Sequence, residues 1–172
     1  MSTNTILRNP VTTKVTLPAS VSPAGHTVDS DGVSVTITAG DADARYGSIT
    51  RELERTGVLK RGMYLYDSSQ NEMREIVGIS YKDDHFTIAS PFTADLSGAN
   101  LEIIPRSDLQ EISLTGISGT ATVYDADDNA SDLVTGQTVT WNKDDKNRGE
   151  NGFTGPLIVD ATGASVSIQT RR

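Results

Sequence analysis

The strongest constraint in this sequence lies between Gly62 and Ile104, where short apolar stretches alternate with turn residues. Gly62-Met63-Tyr64-Leu65-Tyr66-Asp67 predicts a strand, Ser68-Ser69-Gln70-Asn71 a turn, and residues 72–79 a return strand. Tyr81-Lys82-Asp83-Asp84 predicts a second turn, followed by a strand over 85–89 and another over 101–104, which Pro105 ends. Consecutive strands joined by tight turns form a meander. Four or five of them are expected to curl into a small barrel, because curling removes exposed edges.

The rest of the chain is read around that centre. Residues 1–30 are rich in Thr, Ser, Pro and Val, and Pro10, Pro18 and Pro23 cut them into pieces. Val11, Val15 and Leu17 are too few for a core of their own, so this segment predicts an extended N-terminal arm with one possible edge strand. Val33-Ser34-Val35-Thr36-Ile37-Thr38 alternates with period two and predicts a strand after a turn at Asp29-Ser30-Asp31-Gly32. The one helical pattern, within 41–57, runs from a Ser48 cap through Ile49 and Leu53 to a left-handed Gly57. After Pro105-Arg106-Ser107-Asp108 a new series of strands is expected over 110–115, 120–124, 138–142, 157–160 and 165–170, with a long polar loop over 143–152. The expected architecture is all-β: an arm over 1–30, a small β-barrel-like domain over 31–105, and a second, β-sandwich-like domain over 106–172.

Composition then limits the chemistry. The chain has 172 residues, no cysteine, two histidines and a formal net charge of -8. Without Cys there is no disulfide framework, thiolate zinc site or cysteine nucleophile. Two His are too few for a His-based catalytic zinc site. An acidic chain lacks the basic face that nucleic-acid binding requires. No apolar run approaches the ~20 residues of a membrane-spanning helix. The start, Met1-Ser2-Thr3-Asn4-Thr5, shows no export signal, so synthesis in a cytoplasm is expected.

Asp125-Ala126-Asp127-Asp128-Asn129 starts like a calcium-binding loop, but the sixth position is Ala130 and the twelfth Gly136, where glycine and a bidentate Glu are needed. A plain acidic turn is the expectation there, and Asp41-Ala42-Asp43 is a weaker match still. His26 lies in the arm. His85 follows Asp84, but neighbours on a strand point to opposite faces. Phosphate-loop and Gly-x-Ser-x-Gly patterns are absent. No catalytic, metal or cofactor residue is expected, and the chain is read as a non-enzyme.

A resemblance completes the reading. The run Arg61-Gly62-Met63-Tyr64-Leu65-Tyr66, the return Met73-Arg74-Glu75-Ile76-Val77-Gly78-Ile79 and the stretch Asp84-His85-Phe86-Thr87-Ile88-Ala89-Ser90-Pro91-Phe92 resemble a layout common in structural proteins of tailed bacteriophages. Pro156-Leu157-Ile158-Val159-Asp160-Ala161-Thr162-Gly163-Ala164 is similar in style. The resemblance implies a virion structural protein, foremost a capsid decoration (cement) protein and alternatively a head-tail connector. It implies the major capsid protein or neighbouring virion proteins as partners, and a homo-oligomeric arrangement, with no nucleic acid and no membrane. A competing reading is a cell-surface carbohydrate-binding or adhesin-like module in which Trp141, Tyr124 and Tyr66 stack on sugar rings. A small hydrolase with a Ser or carboxylate centre is the third.

Overall fold

The period-two stretches pair into antiparallel ladders, and the chain is all-β. A computed structural model describes residues 5–20, 26–39, 49–82, 84–94, 96, 101–105, 109–142 and 155–172. Asp41, Asp43, Ser48 and the 143–152 loop lie outside the described residues. The first strands are β1 (Thr5–Val11) and β2 (Lys14–Leu17). They belong with Ser107–Arg172 to one compact unit, while Ala19–Arg106 form a second. The chain therefore starts one unit, builds the other within it, and returns.

The inserted unit contains β3 (His26–Asp31), β4 (Ser34–Ala39), helix α1 (Ile49–Arg55), β5 (Tyr64–Asp67), β6 (Glu72–Ser80), β7 (His85–Ile88) and β8 (Leu101–Ile104). Its six-stranded sheet has the order β3-β4-β7-β6-β5-β8. The meander β5-β6-β7 sits at its centre. Among the described residues no ladder joins β3 to β8. Strand β6 serves two neighbours: its first half pairs with β5 and its second half with β7, with a register shift between Ile76 and Gly78. Val35, Leu65, Ile76, Phe86, Ile88, Leu101 and Ile103 all face one core, which Leu53 of α1 and Leu59 complete.

Helix α1 is only seven residues long, too short to hold itself, and a local cap at one end and a distant residue at the other fix it. At the C-terminus Gly57 has φ 81°, Val58 N donates to Leu53 O and Gly57 N to Glu54 O. This is the Schellman arrangement, which needs a residue without Cβ at that position. At the N-terminus Asp84, distant in sequence, accepts from Thr50 N at 3.3 Å and from Thr50 Oγ1 at 3.2 Å. The expected turn at 29–32 is displaced. Asp29 to Asp31 extend β3, and Gly32-Val33 make the two-residue hairpin to β4.

The second unit adds β9 (Glu111–Ser118), β10 (Thr120–Tyr124), β11 (Ala130–Val134), β12 (Thr138–Asn142), β13 (Leu157–Asp160) and β14 (Ser165–Arg171). Two four-stranded sheets result, β1-β14-β9-β12 and β11-β10-β13-β2. Their inward residues, among them Ile112, Leu114, Val123, Leu133, Trp141, Leu157, Val159, Val166 and Ile168, form one core, as in a sandwich. Gly116 on β9 lies so close to the end of β11 that an added Cβ would sit 2.3 Å from Val134 O, so only glycine allows this approach of the two sheets.

The arm reading is corrected here. Residues 5–11 and 14–17 are extended, but they are not free. β1 pairs with β14 and β2 with β13, and Leu17 is fully buried in the sandwich core. Residues 26–31 in turn pair with β4. The few apolar residues of this segment suffice because each strand joins a sheet built by distant parts of the chain.

Candidate functional site

The densest polar cluster lies on the β5–β6 hairpin and on the segment that follows β7. Asp67 ends β5 and is 0% exposed. Its Oδ1 accepts from Ser69 N at 2.8 Å and Ser69 Oγ at 2.6 Å, and its Oδ2 from Gln70 Nε2 at 2.8 Å. The Gln70 amide also grips the backbone of Ala94: Ala94 N donates to Gln70 Oε1 at 2.8 Å, and Gln70 Nε2 donates to Ala94 O at 3.3 Å. One buried carboxylate thus shapes the turn, and the turn holds a distant segment.

Arg74 on β6 performs the second half of this fastening. Its Nε donates to Pro91 O at 2.9 Å, its Nη1 to Met73 O at 3.0 Å and its Nη2 to Glu72 Oε2 at 2.8 Å. Glu72 Oε2 also accepts from Thr93 N at 3.0 Å. The guanidinium carbon lies 5.1 Å from the centre of the Phe92 ring. The "R-E-I-V" strand and the "S-P-F" stretch on which the resemblance rests therefore meet in space, and Arg74 joins them. A buried guanidinium is tolerated because its donors are occupied in a fixed fork.

The acidic turn is equally self-contained. Asp125 Oδ1 accepts from Asp127 N and Asn129 N, each at 2.9 Å, and Oδ2 accepts from Asn129 Nδ2 at 2.9 Å. Asp125 N donates to Asn129 O at 3.0 Å, and Asp128 takes φ 63°. These bonds close the β10–β11 hairpin. Among the described residues no group of three or more His, Asp or Glu is placed to hold a metal ion.

The other candidates are dispersed. His85 opens β7, half-buried, opposite Thr36 and Ser80, while the Asp84 carboxylate turns to α1. His26 opens β3 opposite Ala39. Trp141 is 9% exposed and packs in the sandwich core, and Tyr66 is 2% exposed. Tyr124 is half-buried on β10. Two of the three rings required for sugar stacking are thus turned into the protein. Among the described residues no helix is long and apolar enough to cross a membrane.

Sequence reasoning missed Arg74, Glu72 and Gln70 as a joint device. The available signal was a charged pair, Glu72 and Arg74, two apart on a strand and therefore on one face. No family model, curated protein or solved structure matches this chain.

One titrating group connects β2 to β13. Partial burial pushes the Asp160 carboxyl upward, but hydrogen bonds from Thr162 and the Lys14 charge outweigh it and hold the group below its ordinary value. A lowered folded-state pKa stabilises above the unfolded value and loses that contribution as pH falls through the folded one. Asp160→Asn is therefore expected to destabilise the protein at neutral pH, and the gap from wild type should close on acidification. Urea unfolding at a series of pH values checks this; a gap that stays constant into acid contradicts it.

Proposed function

We propose that this chain is a non-enzymatic virion structural protein of a tailed bacteriophage, and within that class a capsid decoration protein that binds the assembled head. The observation that carries the reading is how its polar side chains are used. Asp67, Glu72, Arg74, Asp84 and Asp125 all bind backbone groups of turns, helix ends and loops. That investment makes rigid sheets with fixed loops, which is what contact with a lattice requires. The phage-like layout adds support, because Arg74 physically joins its two characteristic stretches. The net charge of -8 fits a solvent-facing position on the head better than a position against packaged DNA.

With residues 5–17 docked in the sandwich, partner contacts fall to sheet surfaces, edges and loops. Many weak, symmetric contacts on a shell sum to firm attachment by avidity. The test is co-sedimentation of the purified protein with empty heads and, separately, with isolated tails and necks of the phage that encodes it. Saturable binding to heads, with a higher temperature of head rupture, supports decoration. Binding confined to the neck supports the connector role. Binding to neither contradicts the virion reading.

A further inference from the structure

Three connecting segments of the sandwich, residues 116–120, 133–137 and 161–165, meet at one end of it. Gly136 N donates to Gly116 O at 2.8 Å, and Gly116 N to Gln137 O at 2.9 Å. Thr135 Oγ1 donates to Gly119 O at 3.1 Å. A Cβ on Gly119 would lie 2.8 Å from Gly163 O, which brings in the third segment. None of the residues in these segments is Asp, Glu, Lys or Arg, although 22% of the chain is charged.

The same end carries Ile117 and Val134, 45% and 48% exposed. Among the described residues they are the two exposed large aliphatic side chains of the sandwich. Backbone geometry fixes where each stands. β14 pairs Ser165 with Ser118 and Val166 with Gly116, so Ile117 is the extra residue of a bulge, a device that re-aims a side chain. Val134 ends β11, and its carbonyl oxygen is the atom that a Cβ on Gly116 would meet at 2.3 Å. The two aliphatic residues therefore stand on segments in backbone contact.

We propose that this end is a self-association surface, on which a second copy docks about a two-fold axis so that Ile117 of each copy meets Val134 of the other. Two-fold dimers are the commonest homo-oligomers, and they need a surface complementary to itself. An aliphatic pair whose members exchange places under the two-fold meets that need. Exposed Ser118, Thr120, Thr135 and Gln137 surround it, giving the apolar middle and polar rim of an interface. The segments are already tied to one another, so docking costs little ordering.

Charge selects a second copy as the occupant. Each chain carries -8, so copies repel over most of their surface, and an uncharged end is where they approach at least cost. The end offers an oppositely charged partner nothing to read. The acidic residues that border the segments in sequence are engaged: Asp160 with Lys14 and Thr162, and Asp132 with Thr122 Oγ1 at 3.3 Å. Two aliphatic side chains and their rim fall well short of a standard interface, about 800 Å² per partner, so the dimer is weak. The pairing does not depend on the virion reading.

Sedimentation velocity from about 1 μM to about 1 mM, where a weak contact shows itself, measures the association. Wild type is expected to shift from monomer to dimer across that range, and added salt to tighten the dimer by screening the repulsion. Ile117→Lys and Val134→Asp are each expected to weaken it by about tenfold or more, since each buries an unpaired charge. An equimolar mixture of the two variants should dimerise again, because Lys of one then meets Asp of the other. Val77→Lys, at an equally exposed aliphatic of the inserted unit, should associate as wild type does. Unchanged unfolding followed by Trp141 fluorescence shows that each variant is folded. A wild type that stays monomeric overturns the proposal, as do Ile117 and Val134 variants that dimerise like wild type. A mixture no tighter than its components, or a dimer lost in Val77→Lys alone, overturns it as well. A chain that binds heads yet stays monomeric refutes only this pairing, and one that dimerises here and binds no particle refutes only the virion reading.

Discussion

A chain lacking residues 1–18 is expected to lose the sandwich and to keep the sheet of the inserted unit. Removal of β1 and β2 takes one strand from each sheet of the sandwich. It uncovers the edge of β13, where Leu157, Ile158 and Val159 are all fully buried. It also empties the site of Leu17. Truncating one such leucine to alanine costs about 2–5 kcal/mol, and total stability is about 5–15 kcal/mol for a typical domain. Losing the leucine and two ladders together exceeds what the unit can absorb. Trp141 belongs to this unit alone, so its fluorescence should lose its cooperative transition, while hydrogen exchange in β5, β6 and β7 stays protected. A Trp141 transition at the wild-type midpoint would mean that residues 1–18 are a free arm after all.

Arg74→Ala is expected to give the largest single-residue effect in the inserted unit. The side chain is buried and serves Pro91 O, Met73 O, Glu72 and the face of Phe92. Its loss leaves the Glu72 carboxylate without its counter-ion and the Pro91 carbonyl without its donor. Breaking a buried ion pair from one side costs about 3–5 kcal/mol. Arg74→Lys keeps the charge but not the fork, so it should recover only part of the loss. Calorimetry would show the transition of this unit moving down, and exchange over 91–94 should rise first. An Arg74→Ala protein with wild-type melting would mean that Gln70 and Glu72 hold residues 91–94 without it.

How much of this was legible follows from how local each interaction is. β5, β6 and β7 were readable because their shared ladders join neighbours in sequence, and β8, whose partner β5 is distant, because Pro105 ends its short apolar run. Gly57 was readable because a helix stop needs a left-handed residue. β11 was missed: in Ala130-Ser131-Asp132-Leu133-Val134 only Leu133 is buried, so no alternation marks it. Of β1 and β2 only one possible edge strand was expected, because their pairing residues lie at 157–171 and the prolines suggested a break. Proline is acceptable on an outer strand, so Pro10 and Pro18 were weaker evidence against structure than they seemed in isolation. The fastening by Arg74 was not legible because it acts on the carbonyl of Pro91, a backbone group no side-chain pattern announces. The Asp125 stretch was legible as a turn from its Asp and Asn residues; its internal bonding needed coordinates.

The insertion of one unit within the other also sets an order of events during synthesis. β1 and β2 are made before the inserted unit, but their ladder partners β14 and β13 are made after it. The inserted unit has all its strands in one continuous stretch and can fold while translation proceeds. Until β13 and β14 emerge, Leu17 and its neighbours lack the sheets that bury them. The nascent chain thus carries an unfinished sandwich until β13 and β14 have been made, and completion depends on a contact of very long sequence separation, the slowest kind to form. Any truncated product that ends before β14 would carry an exposed half-sandwich, which makes interrupted synthesis, more than heat, the hazard this topology creates.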